Sequence, residues 1–443
     1  MAARTRKSTQ RERLIDGLVE VANRHGYAGA SVSAVIAEAG VSRPTYYEYF
    51  ADREDCFAAT IREVHGELRK AVKAALAEAG PDTALAAAVT VVTEFAGEQP
   101  ARARFLFGES MSGGQAALDA RDEGIAVIAG DIARAERAAD PETPLCDVDP
   151  RIAIGSAYRL IATRLRRGEA AISILRGDLL DWLASYAVPA SRRRWQKLAP
   201  GDVPPRSPYV PQVGPMHQMP KLLPPGRPRI PEAEVAENHR ARILYAAARL
   251  AEEKGYLATT IADITRLARI DGRVFYRLFA DKQEAFAAVH EMGFQLVMDV
   301  TAKAFFAEEG WPLRSWEAGR ALTQLLQENP LIARVGFVEA YAVGPGAVQR
   351  IEDSHTAFMF FLQEGLMHSP SSDPPSRVAM EATISAVFEV IYLQARSPGN
   401  PQVAAMLPQI AHIWLSPFLG ATEADDFIDA RTGAPLEPPG RGR

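Results

Sequence analysis

The chain has 443 residues, which is too long for one ordinary domain and suits two to four. Hydrophobic residues make up 47% of it, enough for buried cores, and a formal charge of −5 excludes a generally cationic coat, so any contact with nucleic acid must come from local patches. Two cysteines exclude a disulfide framework, and no apolar run reaches the length of a membrane span or follows the N-terminus as in a signal peptide, so we expect a cytoplasmic protein without a membrane partner.

The N-terminal segment combines a basic arm with an amphipathic helix. Arg4, Arg6 and Lys7 precede the helix. Two interpretations stay open for them: a solvated, disordered end, or an arm that follows a DNA backbone or enters a minor groove. From about Thr9 to His25, apolar residues recur at helical spacing, which predicts a supporting helix.

The next stretch, from Ser31 to Phe50, predicts two short helices joined by a tight turn. Ser31 caps the first helix, Gly40 ends it in a left-handed conformation, and Ser42 caps the second. Pro44 falls in the first turn of the second helix, where its missing N–H costs little. Tyr46 and Phe50 turn to the core, while the remaining polar and aromatic side chains point elsewhere, namely Arg43, Thr45, Tyr47 and Tyr49.

A long helix and a helical body follow. The helix runs from Asp52 to about Ala79, and we expect His65 on it to be an ordinary, partly exposed histidine. Residues 83–188 contain helical segments separated by Gly and Pro breaks, with almost no β alternation. The last two segments, at about 150–187, form a predicted helix pair.

Residues 189–232 have a different composition. The segment is rich in proline and strongly basic, which predicts an extended, semi-rigid linker. The piece Gly226-Arg227-Pro228-Arg229 resembles a minor-groove hook, but a plain linker is the favoured interpretation of these four residues. The histidine of Met216-His217-Gln218-Met219 is interpreted as incidental and not as a metal ligand.

The chain then repeats itself. Residues 260–279 align with 31–50 without a gap, Gly26-Tyr27 recurs as Gly255-Tyr256, and Phe57 recurs as Phe286. Beyond these heads, Glu98-Gln99-Pro100 returns as Glu328-Asn329-Pro330, and Trp182 matches Trp414. The whole unit is therefore duplicated, and a predicted helix pair at about 374–419 matches the one in the first body.

These motifs together resemble the helix-turn-helix domain of the Tet repressor (TetR) family of bacterial transcription regulators. The resemblance covers about fifty residues in each half. It implies an all-α chain, with domains at 1–53 (first helix-turn-helix), 54–188 (first regulatory body), 189–232 (linker), 233–282 (second helix-turn-helix), 283–420 (second body) and 421–443 (disordered tail). It also implies a double-stranded DNA operator as partner and a repressor released by a small-molecule effector of unknown identity.

The resemblance assigns DNA contacts residue by residue. Arg43 and Thr45 are expected at base edges, and Tyr47, Tyr49 and Arg53 at phosphates. The full expected set is Ser31, Ser42, Arg43, Pro44, Thr45, Tyr47, Tyr49 and Arg53 in the first head, and Thr260, Arg273, Val274, Tyr276, Arg277 and Lys282 in the second.

The two heads differ in the residues that are expected to contact DNA. Val274 stands where the first head has Thr45, and Asp271 would bring negative charge near phosphates unless its carboxylate caps a helix. The second head therefore reads a different half-site or mainly holds backbone. The operator is accordingly expected not to be a true palindrome.

The second body is rich in aromatic residues that favour an effector pocket, although core packing explains the same residues. The candidate residues are Trp316, Phe337, Tyr341, Phe358, Phe361, Met367, Phe388 and Tyr392. A second class of function stays open beside the regulator, in which the bodies bind a small molecule or a protein and one or both heads are degenerate.

No signature of an enzyme, a cofactor or a metal site occurs in the sequence, so we expect a non-enzyme with neither cofactor nor metal. Cys56 lies at the start of an apolar helix face, which favours buried packing over redox sensing. Because one chain carries two predicted dimerisation pairs, we expect it to fold as an intramolecular pseudo-dimer with its heads about one DNA turn, roughly 34–36 Å, apart. A homodimer of chains is the alternative.

Overall fold

A computed structural model describes residues 9–140, 142–169, 171–189, 205–212, 216–224, 230–369, 374–397, 399 and 402–432. These residues are predominantly α-helical, as the sequence predicts. The chain divides into two compact units: unit 1 comprises Met1–Ala139 and Asp149–Leu180, and unit 2 comprises Asp140–Val148 and Asp181–Arg443. The predicted basic arm at Arg4, Arg6 and Lys7 lies outside the described residues, as does the hook piece from Gly226 to Arg229.

The first repeat contains nine α-helices among the described residues. They are α1 (Gln10–Gly29), α2 (Val32–Ala39), α3 (Arg43–Tyr49), α4 (Arg53–Glu78), α5 (Ala84–Glu98), α6 (Pro100–Phe107), α7 (Gln115–Glu136), α8 (Pro150–Arg166) and α9 (Leu175–Ala184). Short 3₁₀ turns lie at Pro81–Thr83, Glu109–Ser112 and Ile172–Ile174. The boundary between the two units falls inside α9.

The first helix of unit 1 shows why Gly-Tyr recurs in the sequence. Thr9 and Glu12 form a reciprocal capping box at its start. Gly26 breaks the helix with φ 67° and ψ 178°, a conformation that strongly favours glycine. The break turns Tyr27 inward, where its ring meets Phe57 of α4 edge-on at 4.9 Å. The Gly-Tyr motif therefore packs the head against the long helix α4.

The body of unit 1 has a filled aromatic centre. The rings of Phe107 and Tyr158 lie 3.9 Å apart, and that of His65 lies 5.9 Å from Tyr158. The expectation that His65 is partly exposed is wrong: it is only 4% exposed. It packs so closely on α7 that a Cβ at Gly124 would lie 2.4 Å from its ring. Burial lowers the pKa of His65 to about 3, so the ring is neutral in the core.

The second repeat contains eleven α-helices among the described residues. They are α10 (Glu232–Ala258), α11 (Ile261–Ala268), α12 (Gly272–Leu278), α13 (Lys282–Phe306), α14 (Trp311–Glu328), α15 (Pro330–Arg334), α16 (Ala340–Val343), α17 (Pro345–Gln363), α18 (Arg377–Arg396), α19 (Leu407–Leu419) and α20 (Ala421–Thr432). A π-helical turn spans Val335–Glu339, and 3₁₀ turns lie at Glu364–Met367 and Val403–Met406.

The head of unit 2 repeats the packing of the first head. Gly255 breaks α10 at φ 81°, and the ring of Tyr256 meets Phe286 edge-on at 4.8 Å. The long helix α13 then packs along α14. Trp311 at the start of α14 is fully buried, and its indole N–H donates to the carbonyl of Phe361 at 2.8 Å. The duplicated sequence thus produces a duplicated architecture of head and body.

Unit 2 also incorporates pieces that belong in sequence to the first repeat. Strands β1 (Leu145–Cys146) and β2 (Ala187–Val188) pair antiparallel, with Leu145 opposite Val188. The indole N–H of Trp182 donates to Thr383 Oγ1 at 3.1 Å, and the Tyr186 hydroxyl donates to the carbonyl of Ile413 at 2.9 Å. Residues 181–188 are therefore part of the core formed by α18 and α19.

The predicted disordered tail is partly wrong. Residues 421–432 form α20, and Ala424 and Ile428 on it are fully buried against α19. The sequence looked polar because Asp425 and Asp429 alternate with these apolar positions, but both carboxylates lie on the packed side and are buried. Residues 433–443 lie outside the described residues.

The predicted linker has no helix or strand in its described parts, 205–212 and 216–224, but it is not a free spacer. Arg206 forms an ion pair with Glu328 at 2.7 Å, and the backbone N–H of Ser207 donates to Gln324 Oε1 at 2.5 Å. Further along, Met216 is buried. Residues 205–212 are thus fixed to α14 of the second body, whereas the carbonyls of Pro220 and Lys221 accept from Arg242 and Asn238 on α10.

One helix, α18, is long and apolar enough to cross a membrane by length and composition. In the fold, 72% of its apolar window is buried inside the protein. It is accordingly the central core helix of the second body.

Candidate nucleic-acid interface and ligand cavity

The reading helix of the first head, α3, is fixed by two serine caps. Ser31 Oγ accepts from the backbone N–H of Ala34 at 3.2 Å, and Ser42 Oγ accepts from that of Thr45 at 3.2 Å. Between the helices Gly40 adopts the left-handed conformation with φ 61°. Tyr46 is fully buried and donates its hydroxyl proton to the carbonyl of Asp52 at 2.9 Å. α3 therefore has a defined inner face.

The outer face of α3 presents the predicted polar set. Arg43 and Pro44 are exposed, and Tyr47 and Tyr49 are 50% and 41% exposed. The Arg43 guanidinium donates to Ser33 Oγ at 3.0 Å across the turn. Thr45 is half-buried, and its hydroxyl lies 2.9 Å from that of Ser42. The face offers one planar cation, a hydroxyl and two phenols.

Arg53 begins α4 beside this face. Its guanidinium carbon lies 4.3 Å from the centroid of the Tyr27 ring, so the ring fixes the position of the charge. The guanidinium is half-exposed at the N-terminal end of α4, where Asp52 caps the helix by accepting from the N–H of Asp55 at 2.9 Å. A helix N-terminus next to an arginine is a favourable place for a phosphate.

The second head has the same backbone but a different chemistry. Asp271 caps α12 by accepting from the N–H of Arg273 at 2.8 Å, so its carboxylate is occupied as a cap. Arg269 takes the left-handed position of Gly40, with φ 53°. Arg273, Tyr276 and Arg277 are exposed, Tyr276 by 61%, whereas Val274 is half-buried. The outer face of α12 is therefore dominated by arginine.

Two predicted contacts of the second head have structural partners of their own. Thr260 forms a capping box with Asp263 at the start of α11. The amino group of Lys282 donates to the carbonyls of Tyr256 and Thr259 at 2.8 and 2.9 Å and lies 4.0 Å from the centroid of the Tyr256 ring. Burial lowers the pKa of Lys282. Its charge is directed to the end of α10, so a contact with a phosphate would require these two bonds to be released.

Arg240 is a cation of the second head that the sequence interpretation missed. It lies near the rim of α12, with its guanidinium carbon 5.6 Å from the centroid of the Phe279 ring. The signal that could have found it is the repeat itself, because it stands on α10 where Arg11 stands on α1.

A cavity lies inside the second body, between α13, α14, α17, α18 and α19. It is a narrow space of about 660 Å³, counted with its mouth. Five predicted aromatic residues line it: Trp316, Phe337, Phe358, Phe361 and Phe388.

Three other predicted pocket residues do not line this cavity. Tyr341 and Tyr392 are buried in the helical packing around it, and Met367 is 87% exposed. The sequence pattern could not separate them, because all aromatic residues in a helical bundle share the same spacing. The sequence analysis did not identify the polar residues of the wall, which are Thr301, Ser315 and Trp414. Nothing in their spacing distinguishes them from other residues of a helical bundle.

A second cavity, of about 470 Å³ counted in the same way, adjoins the first and shares the rings of Phe337, Phe358 and Phe388 with it. His290 lines it and is 8% exposed. Burial, with a smaller contribution from Arg350, lowers the pKa of His290 to about 4. The ring is therefore neutral at physiological pH.

A buried polar cluster in unit 2 was also missed. His412 Nδ1 lies 2.9 Å from Asp425 Oδ1, and a ligand atom of Asp147 lies within 4.8 Å of both groups. Ser416 Oγ approaches the same ring nitrogen at 3.3 Å. The three titratable residues are far apart in sequence, so only the fold brings them together.

Comparison with known proteins identifies the two heads. The family described as bacterial regulatory proteins, tetR family, matches residues 14–60 and 243–289. The HTH-type transcriptional regulator YdgC of Bacillus subtilis, an uncharacterized protein, is 33% identical over 73 residues, which are 16% of this chain and 37% of YdgC. The chain thus spans little more than a third of the length of this curated relative.

Several solved structures are similar to part of the chain. FadR from Bacillus subtilis, solved with stearoyl-CoA, is 19% identical and covers 39% of this chain and 96% of its own, with a TM-score of 0.34. A tetR-family protein from Rhodococcus RHA1 is 22% identical and covers 41% of this chain and 96% of its own, with a TM-score of 0.34. KstR2 of Mycobacterium tuberculosis, a ketosteroid transcriptional regulator, is 21% identical and covers 40% of this chain and 92% of its own, with a TM-score of 0.31. At these identities and TM-scores the likeness carries no ligand over to this chain.

Proposed function

We propose that this chain, whose two heads match the tetR family of bacterial regulatory proteins at residues 14–60 and 243–289, is a sequence-specific DNA-binding transcriptional regulator built from two tandem units. We further propose that it acts as a repressor that a small molecule releases from its operator. It works in the cytoplasm and has no enzymatic activity.

The observation that carries the proposal is the outer face of α3. A short helix that is capped at Ser42 and anchored by buried Tyr46 presents Arg43, Tyr47 and Tyr49 to solvent. This is what entry into a major groove requires: a rigid element with hydrogen-bond donors at its N-terminal end. Arg43 and Thr45 contact base edges, while Tyr47, Tyr49 and Arg53 hold phosphates.

The second head contributes mainly charge. Its exposed arginines on and beside α12, Arg273 and Arg277, suit the phosphate backbone, while Val274 supplies only an apolar contact in place of a hydroxyl. Phosphate contacts position a protein on DNA without reading its sequence. The second head therefore strengthens binding more than it specifies the site.

Ligand release is supported by the course of α13. This helix begins beside the second head at Lys282, and its C-terminal half supplies Thr301 and Phe305 to the cavity wall. A ligand that enlarges so narrow a cavity has to displace a wall helix, and a displaced α13 moves the head attached to its other end. The aromatic wall thus serves as the effector site.

We propose that one chain pairs its own two repeats. Each repeat ends in a helix pair, α8 with α9 and α18 with α19. Within unit 2, Trp182 and Tyr186 bond to groups on the second pair, as described above. In a symmetric dimer, a helix pair of one subunit packs against the same pair of the other subunit. A chain that carries two such pairs can make this contact within itself.

The deciding experiment is a mobility-shift titration of the full chain with the DNA upstream of its own coding region, against a shuffled duplex of equal length and composition. Specific binding should be at least 10³-fold tighter than binding to the shuffled duplex. Its affinity should fall steeply with salt because phosphate contacts release counterions. Equal binding to both duplexes would overturn the proposal in favour of a ligand-binding or protein-interaction module with degenerate heads.

A further inference from the structure

Three buried polar atoms belong to side chains that line the cavity in the second body. Thr301 Oγ1, Ser315 Oγ and Trp414 Nε1 are each buried, and none has a hydrogen-bond partner among the described residues. Nearly all buried polar groups in folded proteins are hydrogen-bonded, so exceptions that face a common cavity indicate an absent partner. The rest of the wall is almost entirely apolar.

Two of these three positions, and one glycine of the wall, carry apolar side chains in the first repeat. With α4 aligned on α13 through Phe57 and Phe286, Thr301 corresponds to Val72. With α5 aligned on α14 through the repeated Glu-Gln/Asn-Pro, Ser315 corresponds to Leu85, and cavity-lining Gly319 corresponds to Val89. Trp414 corresponds to Trp182, whose indole N–H donates to Thr383 Oγ1 at 3.1 Å. The first repeat therefore lacks two of the polar atoms, places larger side chains where Ser315 and Gly319 stand, and has a partner for its indole N–H.

The chemistry of the wall limits the occupant. No charged side chain is found among the described residues that line the cavity, so an ionised ligand group would lose its hydration without gaining a counter-ion. The indole N–H of Trp414 can only donate, whereas the hydroxyls of Thr301 and Ser315 can donate or accept. An uncharged oxygen, in a hydroxyl or a carbonyl group, can accept from the indole N–H and from a wall hydroxyl. The narrow apolar remainder suits an alkyl chain or a thin ring.

We infer that the effector site of this chain is built in the second body and not in the first, and that it takes one uncharged, slender, apolar molecule that carries a hydroxyl or carbonyl oxygen. This inference rests on the proposed function and names the ligand class of its effector site. One chain therefore binds one ligand although it contains two bodies.

A matched set of nine-carbon probes tests the ligand class: 1-nonanol, 2-nonanone, nonanoate and nonylammonium. Binding to the full chain is measured by calorimetry and by tryptophan fluorescence, because Trp316 and Trp414 both line the cavity. The alcohol and the ketone should bind with one site per chain and at least tenfold more tightly than either ion. Two sites per chain, or equal binding of the ions, would overturn the inference.

Substitutions that copy the first body locate the site. Gly319→Val should weaken 1-nonanol binding at least tenfold, because the added side chain enters the cavity next to Leu407, whose Cδ1 is 3.1 Å from an ideal Cβ at this position. The control is Gly97→Val on α5, at an exposed helical glycine with nothing within 4 Å of its added Cβ.

A second pair of variants tests the polar atoms of the wall. Thr301→Val should weaken the binding of the alcohol and of the ketone about fivefold. The control for this variant is Thr323→Val. Thr323 does not line the cavity, and its hydroxyl donates to the carbonyl of Gly319, so its replacement should leave the affinity unchanged.

The outcomes separate this inference from the proposed function. If the unliganded chain binds its operator and no neutral probe binds, the inference fails and the regulator stands. If neutral probes bind at one site per chain and no DNA is bound specifically, the regulator fails and the ligand class stands. If Thr301→Val leaves the affinity for both neutral probes unchanged, the polar atoms serve no ligand and the inference is overturned.

Discussion

The carboxylate of Glu339 accepts a hydrogen bond from the backbone N–H of Tyr256 at 2.8 Å, and so joins the second body to its own head within unit 2. Its other oxygen accepts from Arg334 Nε at 3.1 Å, and the side chain is nearly fully buried. Glu339 ends the π-helical turn that begins at Val335 and contains the cavity residue Phe337. Glu339, two positions after the cavity residue Phe337, therefore contacts the residue that follows the glycine break at Gly255.

The first prediction concerns this contact. Glu339→Gln should cost about 1–3 kcal/mol of unfolding free energy, because it removes a buried charge-assisted bond. Amide exchange at Tyr256 should also become faster. Urea unfolding and hydrogen exchange measure the two effects. The control is Glu328→Gln, whose exposed pair with Arg206 should be worth less than about 1 kcal/mol. Equal losses in the two variants would show that the buried contact is not special.

The second prediction concerns the outer face of α3. Arg43→Ala should cost about 1–3 kcal/mol of binding and relax the preference at one base pair, whereas Tyr49→Phe should weaken all sequences alike. Fluorescence anisotropy with the operator and single-base variants measures both. Arg24→Ala is the control, since Arg24 lies on the same head and pairs with Glu38 at 2.7 Å. An Arg43→Ala chain with unchanged affinity and sequence preference would contradict the assignment.

The third prediction concerns the symmetry of the operator. The two reading helices differ at Arg43 and Gly272, Pro44 and Arg273, and Thr45 and Val274. Selection from random DNA should therefore yield a site whose two halves differ, with strong preferences in one half and weak ones in the other. Recovery of a symmetric inverted repeat would instead show that two chains bind together and use their first heads only.

The fourth prediction concerns pairing. At low micromolar concentration, light scattering should give the mass of one chain, 48.2 kDa, because joining two repeats in one chain favours their association over encounter with another chain. Trp182→Ala should loosen the pairing, since it removes a fully packed indole and its bond to Thr383. A wild-type mass of two chains that persists on dilution would contradict intramolecular pairing.

The fifth prediction concerns pH. Burial lowers the pKa of His290 from 6.5 to about 4, with a contribution from Arg350 that a smaller one from Glu291 opposes. Below pH 6.5 the unfolded chain therefore binds a proton that the folded chain does not. Stability should fall by about 3 kcal/mol in total as the pH drops from 6.5 to 4, and this group should have no effect above pH 6.5.

Urea unfolding between pH 7 and pH 4 measures this slope. His290→Ile, which copies Ile61 of the first repeat, should make the slope less steep, and the part that remains includes buried His65, whose pKa is about 3. His25→Ala at an exposed histidine should leave the slope unchanged. An identical slope in His290→Ile and the wild type would assign the pH dependence to other groups.

The sequence by itself determined the local structure and the duplication. Caps such as Ser31 and Ser42, the left-handed Gly40 and the breaks at Gly26 and Gly255 act within a few residues, so their chemistry is readable from the chain alone. The alignment of two whole repeats likewise needs no coordinates. The inward direction of Tyr46 and Phe50 followed from helical period, and both are buried.

Only the tertiary structure decided which residues share a space. The burial of His65 against α7 and the packing of the linker on α14 depend on partners far along the chain. The helix at 421–432 depends on its packing against α19, and the inward Lys282 on the carbonyls at the end of α10. The cavity is the clearest case. Phe337 and Tyr392 have the same aromatic character in sequence, yet one lines the wall and the other fills the core. Helical period fixes the direction of a side chain about its own axis, whereas packing between helices decides whether that direction ends in protein or in empty space.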